Sequence, residues 1–211
     1  MVPPAGLIII HRVNTIESLL SVPHEFGVEI DVRGMGDRLL LSHDPLTDKG
    51  AYDELEPYLD AFKHAFIIFN TKEAGYEDRI IKAAESRGID YFLLDVEFPY
   101  LFRASRNGVR KIAVRYSEAE PIENVLAQIE NGKPLVDWVW VDTVTRLPID
   151  STVAKQLTPF KTCLVCPSRF GRTDDIESYC KQMDDAGFKP TAVMTDLSLA
   201  PQWTRWYRSR T

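Results

Sequence analysis

Eight short apolar runs recur along the chain, and each is followed by a stretch with helical periodicity or a helix-start signal. The runs fall at residues 7–12, 28–33, 66–72, 91–97, 111–117, 138–144, 162–167 and 192–196. The helical stretches fall at 15–21, 52–64, 76–87, 100–106, 122–130, 151–157, 174–186 and 201–208. Alternation of this kind builds a parallel sheet covered by helices, and eight units favour a closed (β/α)₈ barrel over an open doubly wound sheet. The chain has 211 residues, whereas such barrels typically run to about 250, so a compact α/β barrel with short loops is expected. No Pro/Ser-rich linker divides it, and residues 1–211 read as a single domain. A ninth apolar run at 39–42, after Gly34 and Gly36, predicts an extra extended segment behind the second strand. Gly88, Gly108, Gly132 and Gly187 stand where helices should stop.

Composition narrows the class. With 31 acidic against 25 basic side chains the net charge is −6. Binding to nucleic-acid phosphates normally needs a basic excess, so nucleic acid is not expected as a partner. No apolar run approaches the roughly 18 residues of a membrane span, and 7–10 has no basic flank of the signal-peptide kind. Three cysteines cannot form a disulfide framework. A cytoplasmic chain without stable membrane insertion is expected.

In a parallel barrel the chemistry gathers at the carboxyl ends of the strands. Strand one ends in His11-Arg12, and strand two carries Glu29, Asp31 and Arg33 at a spacing of two. Alternation puts these three on one face. Two inward carboxylates are costly to bury unpaired, so a cation should lie between them, either a divalent metal or a Lys/Arg cluster. The extended segment ends Ser42-His43-Asp44, and strand three ends Asn70-Thr71-Lys72 with Asn70 and Lys72 on one face. Asp95 and Glu97, Arg115, Asp142, Ser168-Arg169 and Thr195-Asp196 end the remaining strands. Polar groups concentrated at one end of the barrel suggest a site for an anion together with a cation.

Other features point to structure rather than chemistry. Cys163 and Cys166 have redox spacing, but residues three apart on a strand face opposite ways. Cys180 falls in a helical pattern and is expected to pack. His24 and His64 stand at helix ends, where they are expected to partner the backbone dipole. In the tail, Trp203, Trp206 and Tyr207 fit either a membrane-surface helix or a barrel helix packed on its neighbours, and the packed reading is preferred.

His11-Arg12, Asn14-Thr15, Gly27-Val28-Glu29-Ile30-Asp31-Val32 and Leu41-Ser42-His43-Asp44 together resemble the glycerophosphodiester phosphodiesterase family. Ala192-Val193-Met194-Thr195-Asp196 resembles that family's closing strand. The resemblance implies a barrel with a divalent-metal phosphodiesterase site and two catalytic histidines, His11 and His43, with Lys72 beside them. Mg²⁺ or Ca²⁺ would sit on Glu29 and Asp31, with the Asn70 amide oxygen as third ligand, since hard oxygen donors suit these ions. Arg12, Lys72 and Arg115 are the candidate cations for substrate. The implied substrate is a small or lipid-derived phosphodiester, which would place the chain in lipid metabolism. Sequence leaves open which histidine is acid and which base, and it leaves the oligomeric state open too.

The chain departs from the family pattern at three points. Only Val13 separates His11-Arg12 from Asn14-Thr15, which trims the substrate mouth. Asn70 replaces the family's third metal carboxylate, which loosens the metal unless Asp95 or Glu97 supplies the charge. Val165-Cys166-Pro167-Ser168-Arg169 lacks the aromatic expected after strand seven. The alternative function is a catalytically idle barrel that binds a phosphorylated metabolite through Arg12, Lys72 and Arg115.

Overall fold

The computed structural model describes residues 6–210. The chain runs β1 (Leu7–Ile10), α1 (Ile16–Ser21), β2 (Gly27–Met35), β3 (Arg38–Leu41), α2 (Leu55–Ala61), β4 (Ile67–Thr71), α3 (Glu77–Glu85), β5 (Tyr91–Leu94) and α4 (Phe98–Arg106). It continues through β6 (Ala113–Tyr116), α5 (Ile122–Leu126), β7 (Ile129–Glu130), β8 (Lys133–Pro134), β9 (Trp138–Val141), α6 (Ser151–Leu157), β10 (Lys161–Val165), α7 (Ile176–Ala186), β11 (Ala192–Thr195) and α8 (Ala200–Arg208). Eight of these strands are parallel neighbours in the order β5-β4-β2-β1-β11-β10-β9-β6. First and last strands pair, Leu7 with Ala192 through Ile10 with Thr195. A bridge between Leu93 and Ile112 brings β5 to β6, so the sheet is a nearly closed (β/α)₈ barrel. The eight strands and eight helices are those that the sequence predicts.

Strand alternation sorts the core into two shells. Leu7, Ile9, Phe66, Ile68, Phe92, Trp138 and Trp140 point into the barrel, while Ile8, Ile10, Val28, Ile30, Ile67 and Phe69 pack outward under the helices. Phe66, Phe92 and Trp138 plug the lower barrel, with ring centroids 4.7–5.8 Å apart. Such ring pairs add about 0.5–1.5 kcal/mol each beyond their buried area. Small residues make room for them. A Cβ on Gly27 would lie 2.4 Å from Ile9 Cδ1 and 2.8 Å from the Phe66 carbonyl oxygen. Above this filled floor a cavity opens at the carboxyl ends of the strands.

The predicted extra segment is β3, which pairs antiparallel with the overhanging half of β2 from Val32–Leu41 to Met35–Arg38. This hairpin folds the chain back over the barrel mouth and delivers Ser42-His43-Asp44 there. One expectation needs correction. The fifth helix ends at Leu126, and residues 129–134 form the β7–β8 hairpin. Gly132 turns this hairpin and does not cap a helix. Asn131 and Gly132 have φ of 51° and 75°, the two left-handed positions of a type I′ turn.

Cys163 faces the barrel interior and Cys166 the outer core, as the strand argument requires. Cys180 packs half-buried against the outer core. His64 bonds through Nε2 to the Val22 carbonyl just past α1 at 2.9 Å. Burial lowers its pKa, so it serves there as a neutral hydrogen-bonding group rather than the expected charge partner. Trp203, Trp206 and Tyr207 are buried on the barrel, which settles the tail as a packed helix. No helix among the described residues is long and apolar enough to cross a membrane.

Candidate active site

A cavity of about 470 Å³ opens at the carboxyl end of the barrel. Its lining includes His11, Arg12, Glu29, Asp31, His43, Asn70, Lys72 and Arg115, so every site residue expected from the sequence reaches one place.

The short link after β1 organises the acidic floor. Arg12 takes a left-handed conformation, φ 54°, and turns its backbone N–H to Glu29 Oε2 at 2.9 Å. Asn14 then clamps Asp31 from both sides. Its Nδ2 donates to Asp31 Oδ2 and its Oδ1 accepts from the Asp31 backbone N–H, both at 2.8 Å. Thr15 starts α1 with a capping box shared with Ser18. One five-residue stretch therefore supplies a histidine, a cation, a carboxylate clamp and a helix cap.

Glu29 and Asp31 are 2% and 1% exposed. Burial, reinforced by the neighbouring Asp31 charge, raises the Glu29 pKa to about 7, against the pull of the Arg12 amide, Lys72 and Asn70. Lys72 Nζ lies 2.9 Å from Asp31 Oδ1. Asn70 Oδ1 is buried and has no hydrogen-bond partner among the described residues. Two buried carboxylates beside an unpartnered amide oxygen form a hard-oxygen donor set, which fits a divalent cation such as Mg²⁺ or Ca²⁺. The charge count is low. No group of three or more His, Cys, Asp or Glu able to hold a metal occurs among the described residues.

The two histidines differ in setting. His11 ends the inward face of β1, with Nε2 3.9 Å from Glu29 Oε2. Burial, then the Arg169 and Arg12 charges, lower its pKa to about 4, so it is neutral at physiological pH. His43 is exposed at the mouth, and its Nδ1 meets Asp44 Oδ1 at 2.8 Å. The His43 loop is tied down by Arg33, whose Nη2 donates to the His43 carbonyl at 2.8 Å while Nη1 pairs with Glu73.

Arg115 lines the cavity with every edge engaged. Nε and Nη2 bind Asp95 at 2.6 and 2.8 Å, and Nη1 pairs with Asp142. Asp95 is thereby committed to Arg115 and does not join Glu29 and Asp31. Glu97 begins α4 and does not line the cavity. Of the cations that line this cavity, Arg12 and Arg169 form no ion pair among the described residues. Arg169, expected only as a strand end, lines the wall, and so do Trp140 and Phe170, which the sequence did not single out. Trp140 shares the inward parity of Asp142, a signal the sequence does carry. Phe170, 36% exposed, brings an aromatic to the wall one residue beyond the expected stretch.

No protein-family model matches this sequence, and neither does any curated protein. Solved structures do. A protein of Agrobacterium tumefaciens assigned as a glycerophosphoryl diester phosphodiesterase superposes with a TM-score of 0.65 at 14% identity, covering 96% of this chain and 98% of its own. A glycerophosphoryl diester phosphodiesterase of Parabacteroides distasonis gives 0.63 at 13% identity, over 99% and 88%. A second Agrobacterium tumefaciens structure, a glycerophosphodiester phosphodiesterase, gives 0.62 at 12%, over 94% and 99%. Over nearly its whole length this chain has the fold of these phosphodiesterases.

Proposed function

We propose that the chain is a metal-dependent phosphodiesterase that hydrolyses a small or lipid-derived phosphodiester by histidine general acid–base catalysis. The observation that carries this reading is the convergence of two histidines in opposite electrostatic settings on one cavity that also holds two buried carboxylates and unpaired arginines. Simple phosphate binding needs the arginines but not two titrating groups.

The settings assign the roles. His11, held neutral, is the general base that takes a proton from the attacking hydroxyl. His43, with its Nδ1 turned to the Asp44 carboxylate, is the general acid, and its Nε2 is left to protonate the departing alkoxide. Arg12, Arg169 and Lys72 supply charge to the phosphoryl oxygens. Glu29, Asp31 and Asn70 would hold the divalent cation, which would neutralise charge building on the phosphoryl group.

The binding-only alternative rests on one observation. Lys72 Nζ stands against Asp31 and itself supplies a cation to the acidic floor. Turnover of bis-p-nitrophenyl phosphate with and without chelator separates the two. We expect Mg²⁺- or Ca²⁺-dependent release of nitrophenol. His11→Ala and His43→Ala should each reduce it by roughly 10²–10⁴-fold, with the folded circular-dichroism spectrum kept. Near-native rates in both variants would overturn the mechanism.

A further inference from the structure

The barrel wall has a weak seam. Neighbouring strands elsewhere share ladders of two to five registered residues, whereas β5 and β6 meet only at the Leu93–Ile112 bridge. Toward the carboxyl end the two strands are joined by side chains instead. Arg115, the third residue of β6, grips Asp95 just past β5 through two bonds of 2.6 and 2.8 Å. Asp95 takes a left-handed conformation, φ 61°, to face it.

A second cavity of about 360 Å³ lies at this seam, between β5–β6 and helices α4 and α5. Asp95 and Arg115 line both cavities, so their ion pair is the partition between them. Away from that partition most of the lining is apolar, with Val96, Leu101, Val114 and Ala127, and its one carboxylate, Glu120, is engaged by the Ser117 hydroxyl, which donates to Oε2 at 3.0 Å. Phe98 at its edge is 66% exposed, a large ring left in water unless something covers it. Gln128 also lines the cavity. It is 7% exposed, and its buried Oε1 accepts no hydrogen bond among the described residues. An apolar slot with one unpartnered acceptor, in this size range, is the usual form of a small-ligand pocket.

We propose that this seam pocket binds the alkyl or acyl chain of a substrate whose phosphate lies in the main cavity. The chain enters beside the Asp95–Arg115 pair and covers Phe98. A hydroxyl or amide N–H on that chain would satisfy Gln128. The placement of the phosphate rests on the phosphodiesterase reading, while the chain pocket rests on the seam itself. An apolar chain gains about fourfold in affinity for each methylene fully buried, so length should be read directly in binding.

The test is calorimetric titration with methyl phosphate and with octyl phosphate below its micelle concentration, in Mg²⁺ buffer. Octyl phosphate should bind the wild-type protein at least tenfold more tightly than methyl phosphate. Ala127→Trp and Asn124→Trp, two exposed positions on the pocket wall, should each cut that ratio below about threefold. Methyl phosphate affinity in each variant reports whether it has folded. A wild-type ratio near one overturns the proposal, and so does a ratio that survives both tryptophans or a failure of both phosphates to bind. Turnover of methyl p-nitrophenyl phosphate by the same preparation tests the phosphodiesterase reading separately.

Discussion

The Arg12 backbone N–H donates to Glu29 Oε2 at 2.9 Å from a residue held at φ 54°. A non-glycine residue in the left-handed region costs about 1–3 kcal/mol and persists where its surroundings demand it. Here the demand is a buried carboxylate that needs a donor. The same turn sends the Arg12 side chain to the cavity mouth, so backbone and side chain of one residue serve different parts of the site. Arg12→Gly separates them. It keeps the N–H and relieves the strain, so stability in urea should rise by up to about 1 kcal/mol. It also removes a phosphate cation, so KM for a phosphodiester should rise roughly tenfold. A variant less stable than wild type would mean that the turn is not strained.

His11 and Glu29 put opposite slopes on stability. The His11 pKa is lowered from 6.5 to about 4, so the folded state binds fewer protons than the unfolded state in that window. Stability is full above pH 6.5 and is lost as pH falls toward 4. The Glu29 pKa is raised from 4.5 to about 7, so its contribution is full below pH 4.5 and is lost as pH rises through 7. Each is worth at most about 3 kcal/mol at 1.36 kcal/mol per pKa step. Without metal, the advantage of Glu29→Gln over wild type should therefore grow from pH 4.5 to 7. The advantage of His11→Asn should grow in the other direction, from pH 6.5 down to 4. Urea titrations in chelator across pH 4–8 read both, and parallel profiles for all three proteins would contradict the burial argument.

The parts of this site with a local period were legible before the fold. Glu29, Asp31 and Asn70 sit on strands and Lys72 directly follows one, so a spacing of two fixes the face, and all four line the cavity. The parts that depend on register between strands were not. Arg115 ends its strand like a free cation, yet its partners Asp95 and Asp142 arrive from the two flanking strands. Arg169 and Phe170 lie in a short 3₁₀ turn after β10, where no periodicity reveals a direction. At Asn131-Gly132 the turn chemistry was readable, but the apolar pattern from Ile122 runs on like a helix and masked it.

Arg33 is a positioning residue for His43. It reaches across the hairpin to hold the His43 carbonyl, while Glu73 fixes the guanidinium and accepts the Gly34 N–H at 3.0 Å. Arg33→Met should leave that loop free. Loss of alignment by about an ångström can cost up to about 10²-fold in rate, so kcat should fall roughly 10–10²-fold with KM little changed. Arg33→Lys should recover part of the loss. A change confined to KM would place Arg33 on the substrate instead.

Asn70 decides how tightly the acidic floor holds a cation. Its buried Oδ1 has no donor among the described residues, so the oxygen is placed to ligate, but as an amide it brings no charge. Affinity at oxygen sites depends on the number of charged ligands. Lys72, 2.9 Å from Asp31 Oδ1, already offsets part of the negative charge that remains. Asn70→Glu restores a third carboxylate and should tighten Mg²⁺ or Ca²⁺ by about 1–2 kcal/mol, the scale of one charge-assisted contact. The same change has the opposite effect in metal-free protein. A third carboxylate beside Glu29 and Asp31 adds like charge to a floor where burial already holds Glu29 near pH 7. The variant in chelator should therefore melt below wild type at pH 8, and saturating Mg²⁺ should reverse the order. Calorimetric titration gives the affinities, and melting curves with and without Mg²⁺ give the crossover. Equal affinities together with unchanged melting would place Asn70 outside the coordination sphere and leave Lys72 as the cation that balances Asp31.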